Sequence, residues 1–263
     1  MGIPTGIPDL DQILLGMQPS ELLIVAGRPS SGKSSLMVDM ALSAAIEGES
    51  VYLASIEMST KSVTERLIAN CAGLGLRHLK QGELTDAEKT RANKAVDDLE
   101  KMDISIFNGT SFSGRIIQDI QSTDCTCAFV DYMQLLQNGD ARSRSSELET
   151  IVNDFKQLAI NKNIPIVMLS QLNRRVEDRE NNLPRLSDLR DSGGIEQTAD
   201  SVMFVHRPDY YKLDKDVTAQ DGGEAYIFVA KNRNGPLGKV PVVWLAEQCS
   251  FKALPPHMQM NLY

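Results

Sequence analysis

Short apolar runs alternate with longer stretches of helical periodicity over most of the chain. The runs are continuous and rich in β-branched and aliphatic residues, as in strands buried on both faces of a sheet. Strands are predicted at 22–27, 51–57, 104–109, 127–135, 164–172, 201–207, 225–233 and 240–247. Helices are predicted at about 33–47, 60–73, 85–101, 113–122 and 145–161. This alternation indicates an α/β fold with helices on both faces of a mostly parallel central sheet.

The pattern changes after Ser201, where apolar runs follow one another through turns such as Asn234-Gly235-Pro236. Strands joined by tight turns are antiparallel, so an antiparallel C-terminal extension of the sheet is expected. Residues 137–146 and 173–194 show neither pattern and are predicted as loops. A charged loop as long as the second is usually functional or disordered.

Length and composition limit the number of domains and the cellular compartment of the protein. A length of 263 residues with 42% hydrophobic residues suits one domain spanning 1–263. There is no apolar run near the roughly 18 residues of a membrane span, and the N-terminus lacks the pattern of a signal peptide. The four cysteines lack zinc-site spacing and are interpreted as reduced thiols. A cytoplasmic protein without a membrane partner is therefore expected.

The net charge of −8 argues against a broadly basic surface for nucleic acid. It leaves room for a few basic loops concentrated in a channel.

The strongest chemical signal follows the first apolar run. Residues 27–34 match the pattern G-x-x-x-x-G-K-[ST] between a predicted strand and a predicted helix, the context that a phosphate-binding P-loop requires. Its backbone N–H groups and the start of the helix would bind phosphates, Lys33 would reach the β- and γ-phosphates, and the Ser34 hydroxyl would coordinate Mg²⁺. The residues predicted to contact ATP here are Gly27, Arg28, Pro29, Ser30, Ser31, Gly32, Lys33, Ser34 and Ser35. The alternative is a chance glycine loop.

Polar residues follow three other predicted strands. Asp131 ends one apolar run, as does the Walker B carboxylate that holds Mg²⁺; the alternative is an Asp that caps the next turn. Glu57 could orient and deprotonate the attacking water, or it could be a surface residue beside a helix capped by Ser59. Gln171 could hydrogen-bond the γ-phosphate, or it could be a plain loop amide.

Together these stretches resemble the C-terminal motor domain of DnaB-type replicative helicases, a hexameric RecA-like family that unwinds duplex DNA ahead of a replication fork. The similar stretches occur in family order along nearly the whole chain. They are TGIPDLD (5–11), AGRPSSGKS (26–34), SIEMS (55–59), FVDYMQL (129–135), LSQLNR (169–174), LSDLRDSGGIEQTAD (186–200) and AKNRNGPLG (230–238).

The resemblance implies a RecA-like P-loop NTPase core and a role for each site residue. Glu57 would be the catalytic base, Asp131 the Walker B carboxylate, and Gln171 a γ-phosphate sensor that couples ATP to DNA. Lys231 and Arg233 would reach the ATP of a neighbouring subunit, with Arg233 as an arginine finger, a role that suits a planar and permanently charged group. Without the resemblance, both would be interpreted as solvated turn residues.

The family's single-stranded DNA loops correspond to residues 137–146 and 185–194. Backbone contacts without base readout suit a motor that must ignore sequence. The implied DNA-binding residues are Arg142, Arg144, Arg190, Ser192, Gly193 and Gly194. The alternative is an exposed loop with internal ion pairs between Arg190 and Asp188 or Asp191.

The resemblance also implies a homo-hexameric ring on single-stranded DNA, with 5′ to 3′ translocation, and with primase and a helicase loader as partners. The protein would be cytoplasmic, either bacterial or from a phage within a bacterial host. The N-terminal domain and linker helix of the family are expected to be absent, and Ser31 and Gly194 stand where the family has a larger residue and Ala. The alternative function is that of another RecA-like ATPase, either a recombinase or a ring- or filament-forming signalling ATPase.

Overall fold

The computed structural model describes residues 2–139, 143–173, 176–177, 179, 182–189, 193–211 and 223–254. Arg142, Arg190 and Ser192 lie outside these ranges, so their predicted roles stay predictions.

Nine strands within the described ranges form one sheet, in the order β3-β2-β4-β5-β1-β6-β7-β8-β9. The strands are β1 (Leu22–Gly27), β2 (Val51–Ser55), β3 (Ile104–Phe107), β4 (Cys127–Asp131), β5 (Ile166–Gln171), β6 (Ser201–His206), β7 (Gly223–Asn232), β8 (Gly238–Leu245) and β9 (Ser250–Ala253). Pairing is parallel from β3 through β6 and antiparallel from β6 through β9. The predicted parallel sheet with an antiparallel C-terminal extension is confirmed.

Among the described residues, one helix precedes β1, and the others lie between strands from β1 to β7. The helices are α1 (Pro8–Leu14), α2 (Lys33–Ile46), α3 (Thr60–Ala72), α4 (Leu76–Gln81), α5 (Asp86–Leu99), α6 (Ser113–Ser122), α7 (Arg144–Lys162), α8 (Gly193–Thr198) and α9 (Pro208–Tyr211). The side chain of Ser59 caps α3, and Thr85 and Glu88 form a capping box at the start of α5. No helix within the described part of the chain is both long enough and apolar enough to cross a membrane.

Strand β1 is buried along its whole length between two hydrophobic clusters. Leu23 and Val25 belong to the cluster that contains the apolar face of α2. Leu22 and Ile24 point to the other side, where Phe155 of α7 lies. Because side chains alternate along a strand, a continuous apolar run fills both clusters, as the sequence pattern predicts.

The short elements were not predicted. Helices α1, α4, α8 and α9 have four to seven residues, which is at most two turns and too little for helical periodicity to stand out. Strand β9 has only four residues. Several predicted strands also extend too far. The one at 51–57 ends at Ser55, the one at 104–109 at Phe107, and the one at 240–247 at Leu245. The one at 127–135 ends at Asp131, before a 3₁₀ turn at Met133–Leu135.

The prediction of loops at 137–146 and 173–194 is wrong at the C-terminal end of each range. Helix α7 already begins at Arg144, because Ser143 caps it by accepting a hydrogen bond from Ser146 N at 3.2 Å. Helix α8 begins at Gly193. Two glycines disfavour a helix locally, but packing against α7 buries Ile195 completely and outweighs that preference.

Asp39 lies in α2, the helix that follows the P-loop, and connects it to strand β9 by hydrogen bonds. Its carboxylate accepts hydrogen bonds from Ser250 Oγ at 2.9 Å and from Phe251 N at 2.6 Å, both in β9. The side-chain amide of Asn70 in α3 donates to it as well. Burial raises the pKa of Asp39 to about 6, against the lowering effect of these donors.

This raised pKa predicts a specific dependence of stability on pH. Because the pKa of Asp39 lies above the ordinary 3.8, the folded protein binds this proton more tightly than the unfolded chain. The free energy of unfolding should therefore fall as pH rises from about 4 to about 6, by up to about 3 kcal/mol from this group. Asp39→Asn should flatten that fall in urea unfolding at a series of pH values. Asp97→Asn, at an exposed position of α5, should keep the wild-type slope. Equal slopes for the wild type and Asp39→Asn would contradict the assignment.

Candidate nucleotide-binding site

A cleft of about 540 Å³ opens at the carboxyl ends of the parallel strands. The register aligns Gly27 of β1 with Gln171 of β5, and Ser55 of β2 with Asp131 of β4, so these four strands end at one edge. Ligands of α/β sheets bind at that edge. The cleft is lined by Pro29, Ser30, Gly32, Lys33, Ser34, Ser35, Glu57, Met58, Arg66, Tyr132, Gln171, Trp244 and Cys249.

The P-loop joins the end of β1 to the start of α2. Gly32 has φ of +103°, and a Cβ atom there would lie 2.7 Å from the ring of Phe251 and 3.3 Å from that of Trp244. Both the backbone conformation and the aromatic neighbours therefore require glycine at this position. Lys33 begins the 14-residue helix α2, whose N-terminus lines the cleft and receives no side-chain cap from its N-cap residue Gly32. The first N–H groups of a helix have no partner within the helix. This is the arrangement that binds phosphate.

Lys33 is a buried cation at the base of the loop. Its ammonium group donates a hydrogen bond to the backbone oxygen of Arg28 at 3.0 Å. Burial lowers its pKa, while the nearby carboxylates of Asp131 and Glu57 act in the opposite direction. Phosphate oxygens would bring negative charge into direct contact with this buried ammonium group, which here donates its hydrogen bond to a neutral backbone oxygen.

Asp131 is fully buried, and neither of its carboxylate oxygens accepts a hydrogen bond of normal geometry from the described residues. Burial raises its pKa to about 6, and the Ser34 hydroxyl acts in the opposite direction. A buried carboxylate whose oxygens accept no well-formed hydrogen bond is costly, so such groups are normally paired or bound to a metal ion. Carboxylate and hydroxyl oxygens are ligands that Mg²⁺ accepts, so Asp131 and Ser34 fit the predicted metal site.

A closed turn holds Glu57 in the cleft, two residues beyond the end of β2. The Ser55 hydroxyl donates to the Met58 backbone oxygen at 2.9 Å and accepts from the Met58 N–H at 3.3 Å. Ile56 N donates to Asp131 O at 2.8 Å, which joins this turn to β4. Glu57 itself is exposed. A water molecule in the cleft could therefore reach its carboxylate.

Gln171 is the last residue of β5 and lines the same cleft. The structure thus brings together Lys33, Ser34, Glu57 and Gln171, all of which the sequence analysis named.

The Arg28 side chain points away from the cleft. Its guanidinium group is buried and donates to Glu177 Oε1 at 2.8 Å and to Leu172 O at 3.0 Å. Ser31 and Gly27 do not line the cleft either. At Arg28, only the backbone is left to meet a nucleotide, and the side chain connects the P-loop to the segment after β5.

Lys231 and Arg233 lie at the opposite edge of the sheet. Lys231 Nζ donates to the backbone oxygens of Glu196 at 2.6 Å and Ala199 at 2.5 Å, at the end of α8. The half-exposed Arg233 pairs with Asp200 at 3.0 Å. Asp200 in turn accepts from Leu22 N, at the start of β1. Since β1 is six residues long, these cations lie roughly 17 Å from the P-loop end of the strand.

The two predicted DNA-binding segments run into helices that pack against each other. Helix α8 packs on α7, and a Cβ atom at Gly194 would lie 2.8 Å from Glu149 Cδ, so glycine permits this close approach. At the start of α7, Arg144 pairs with Glu147 and donates to Gln134 O at 2.7 Å. Gly193 is the first residue of α8.

Several cleft residues had no predicted role. Trp244 and Cys249 reach the cleft only because β8 and β9 fold back beside the P-loop. The ring of Trp244 packs on Phe251 at 4.7 Å between centroids, and the Arg207 guanidinium lies 4.6 Å from its centroid. Strand β9 is too short to be predicted from its hydrophobic pattern. The sequence therefore gave no sign that this side of the cleft is formed by the C-terminal strands.

Comparison with known proteins agrees with this geometry. The family described as DnaB-like helicase C terminal domain matches residues 2–253. The replicative DNA helicase DnaB of Rickettsia felis is 36% identical over 281 residues, and that of Geobacillus stearothermophilus 35% identical over 262 residues. Each alignment covers 95% of this chain and 57% or 56% of the relative. The chain therefore spans somewhat over half the length of these curated relatives.

Two solved structures are similar over nearly the whole chain. One is a DnaB-like replicative helicase described together with its interactions with primase, and the other is described as an ATPase domain. Each has a TM-score of 0.88 and 28% identity over 97% of this chain, covering 62% and 92% of the respective structure. Neither description names a recombinase or a signalling ATPase. The family match, the sheet order and the P-loop cleft agree: this chain belongs to the DnaB-like helicase C-terminal domain family.

Proposed function

We propose that residues 1–263 form the motor domain of a replicative DNA helicase, which hydrolyses ATP between the subunits of a homo-hexameric ring. Hydrolysis would drive translocation on single-stranded DNA and unwinding of duplex. The observation that carries the proposal is the cleft shared by the P-loop, Glu57 and Gln171, beside the orphaned carboxylate of Asp131. The names of the DnaB relatives support it.

The P-loop would bind the phosphates of ATP. Backbone N–H groups of the loop and the start of α2 face the cleft, and Lys33 would exchange its bond to Arg28 O for phosphate oxygens. Ser34 and Asp131 would hold Mg²⁺, which neutralises charge on the phosphates when bound. Glu57 would orient and deprotonate the attacking water from its exposed turn, and Gln171 would hydrogen-bond the γ-phosphate.

The positions of Lys231 and Arg233 favour hydrolysis across a subunit interface. A strand length of roughly 17 Å separates them from their own P-loop, so they can meet a nucleotide only on another copy of the chain. A ring supplies such a neighbour to every subunit. Arg233 would then leave Asp200 and stabilise the charge of the phosphoryl transition state.

The starts of α7 and α8, and the residues that precede them, would bind DNA. Arg144, Gly193 and Gly194 belong to this surface, and Arg142, Arg190 and Ser192 are proposed to extend it. Because the chain carries a net charge of −8, basic contacts to phosphates must be local. Primase is a proposed partner, since one similar helicase is described with it. The family resemblance adds a helicase loader as a second proposed partner. It also supports a location in the cytoplasm of a bacterium or of a phage-infected bacterium.

Strand displacement tests the proposal directly. Wild-type protein with ATP and Mg²⁺ should release a labelled strand from a forked duplex. Glu57→Gln should bind a fluorescent ATP analogue as tightly but lose hydrolysis and displacement by about 10²-fold or more, the usual contribution of a general base. The matched control is Glu100→Gln, at an exposed position after α5. Undiminished displacement by Glu57→Gln would remove the assigned base, and no displacement by the wild type would contradict the helicase function.

The raised pKa of Asp131 predicts how Mg²⁺ binding depends on pH. A metal ligand must be deprotonated, so the apparent Mg²⁺ affinity of the ATP complex should fall by up to about tenfold per pH unit below about 6. Titration of Mg²⁺ against analogue fluorescence between pH 5 and 7.5 measures it. Asp131→Asn should bind Mg²⁺ more weakly, and its affinity should lack the part of the pH dependence that adds to titration of the phosphates. The same pH dependence in the wild type and in Asp131→Asn would exclude Asp131 as the ligand.

Mixed rings test the interface. Arg233→Ala should hydrolyse ATP poorly, since an arginine finger contributes on the order of 10³-fold in rate. Lys33→Ala should also hydrolyse it poorly, because the P-loop loses the cation that contacts the phosphates. Mixing the two should restore some activity where an intact P-loop meets an intact Arg233. If mixed assemblies form, as verified by differently tagged subunits, and hydrolysis does not recover, Arg233 does not act in trans.

A further inference from the structure

The carboxyl end of β5 extends beyond its neighbour on one side. Strand β1 pairs with it as far as Gly27 and Gln171, but β4 pairs with it only as far as Val130 and Met168. Beyond that point the chain leaves β4 and forms the 3₁₀ turn at Met133–Leu135. The last three residues of β5 therefore lack a strand neighbour on the β4 side.

The side chain of Gln134, inside that turn, takes the place of the missing strand. Its amide oxygen accepts a hydrogen bond from Gln171 N at 3.0 Å. Its amide nitrogen donates to Ser170 Oγ at 2.9 Å and to Gln171 O at 3.4 Å. A primary amide has both donors and acceptors, so one half-buried side chain can bind both backbone groups of Gln171.

The backbone of Gln134 leads in the other direction, to the first predicted DNA loop. Its carbonyl oxygen accepts from Arg144 Nη2 at 2.7 Å. Arg144 also pairs with Glu147, whose other carboxylate oxygen accepts from Asn138 N at 2.7 Å. The described residues on both sides of 140–142 are thus fastened to one another and to Gln134.

We propose that Gln134 is a positioning residue that sets Gln171 at the phosphate end of the cleft and couples its position to the loop at Arg144. The coupling to DNA rests on the proposed helicase function. A displacement of Gln171 would change the hydrogen bonds of Gln134, and the Gln134 carbonyl would carry that change to Arg144. Such a connected set of hydrogen bonds is a physical route by which two sites can influence each other.

Steady-state hydrolysis with and without single-stranded DNA tests the proposal. Gln134→Met keeps the length of the side chain and removes its hydrogen bonds. Gln134→Glu keeps an acceptor for Gln171 N and loses the donors. The Met variant should lose about fivefold or more in DNA-stimulated kcat, the lower range of coupling between sites, while KM for ATP stays near wild type. The Glu variant should lie between it and the wild type.

A matched control and a double variant separate positioning from simple packing. Gln121→Met, exposed on α6 near the amino end of β4, should leave kcat and DNA stimulation unchanged. If Gln134 acts through Gln171, adding Gln134→Met to Gln171→Ala should slow hydrolysis no further. Wild-type kinetics in Gln134→Met, or multiplied losses in the double variant, would overturn the proposal.

The same assay distinguishes failure of the Gln134 proposal from failure of the proposed helicase function. If single-stranded DNA does not stimulate the wild type, it is the DNA motor that is contradicted, together with the coupling to Arg144. The positioning of Gln171 is still decided in that case, by DNA-free kcat in Gln134→Met and in the double variant.

Discussion

The parallel register of the central strands is the constraint on which the rest of the structure depends. Pairing of β1 with β5 and of β2 with β4 aligns Gly27 with Gln171 and Ser55 with Asp131. Because these strands are buried on both faces, they cannot slip without exposing apolar side chains to water. Residues far apart in sequence are therefore held at one edge of the sheet. The P-loop supplies positive charge there, and the neighbouring strand ends supply carboxylate and amide groups.

The same sheet separates two cationic groups, Lys33 and Arg233, by its full strand length. Its carboxyl edge carries the cleft with Lys33, whereas the other edge carries Arg233, held by Asp200. Within one chain these two cations are too far apart to act on the same phosphate. The proposed ring would account for this separation, because one copy would present its Arg233 to the cleft of the next.

Much of this arrangement can be predicted from the sequence because its signals are local. The P-loop motif lies in eight consecutive residues, and Asp131 and Gln171 follow apolar runs long enough to be recognised as strands. Contacts between distant segments have no such signal. The Arg28 guanidinium turns to Glu177, and Gln134 reaches Gln171 from a three-residue turn; neither partner can be inferred from residues near it in sequence. Trp244 lies in the predicted strand β8, but its neighbour in the cleft wall is Phe251 of the short strand β9, which had no signal of its own. Helix α8 shows the reverse case, in which packing overrides the loop preference of two glycines.

A structure of the assembled protein with single-stranded DNA and a Mg²⁺-bound, non-hydrolysable ATP analogue tests the central claim most directly. The protein should form a closed six-fold ring in which Arg233 has left Asp200. Its guanidinium group should lie about 3 Å from a γ-phosphate oxygen that Lys33 of the neighbouring subunit also contacts. An open filament, or a ring in which Arg233 remains on Asp200 while the analogue fills every cleft, would contradict it.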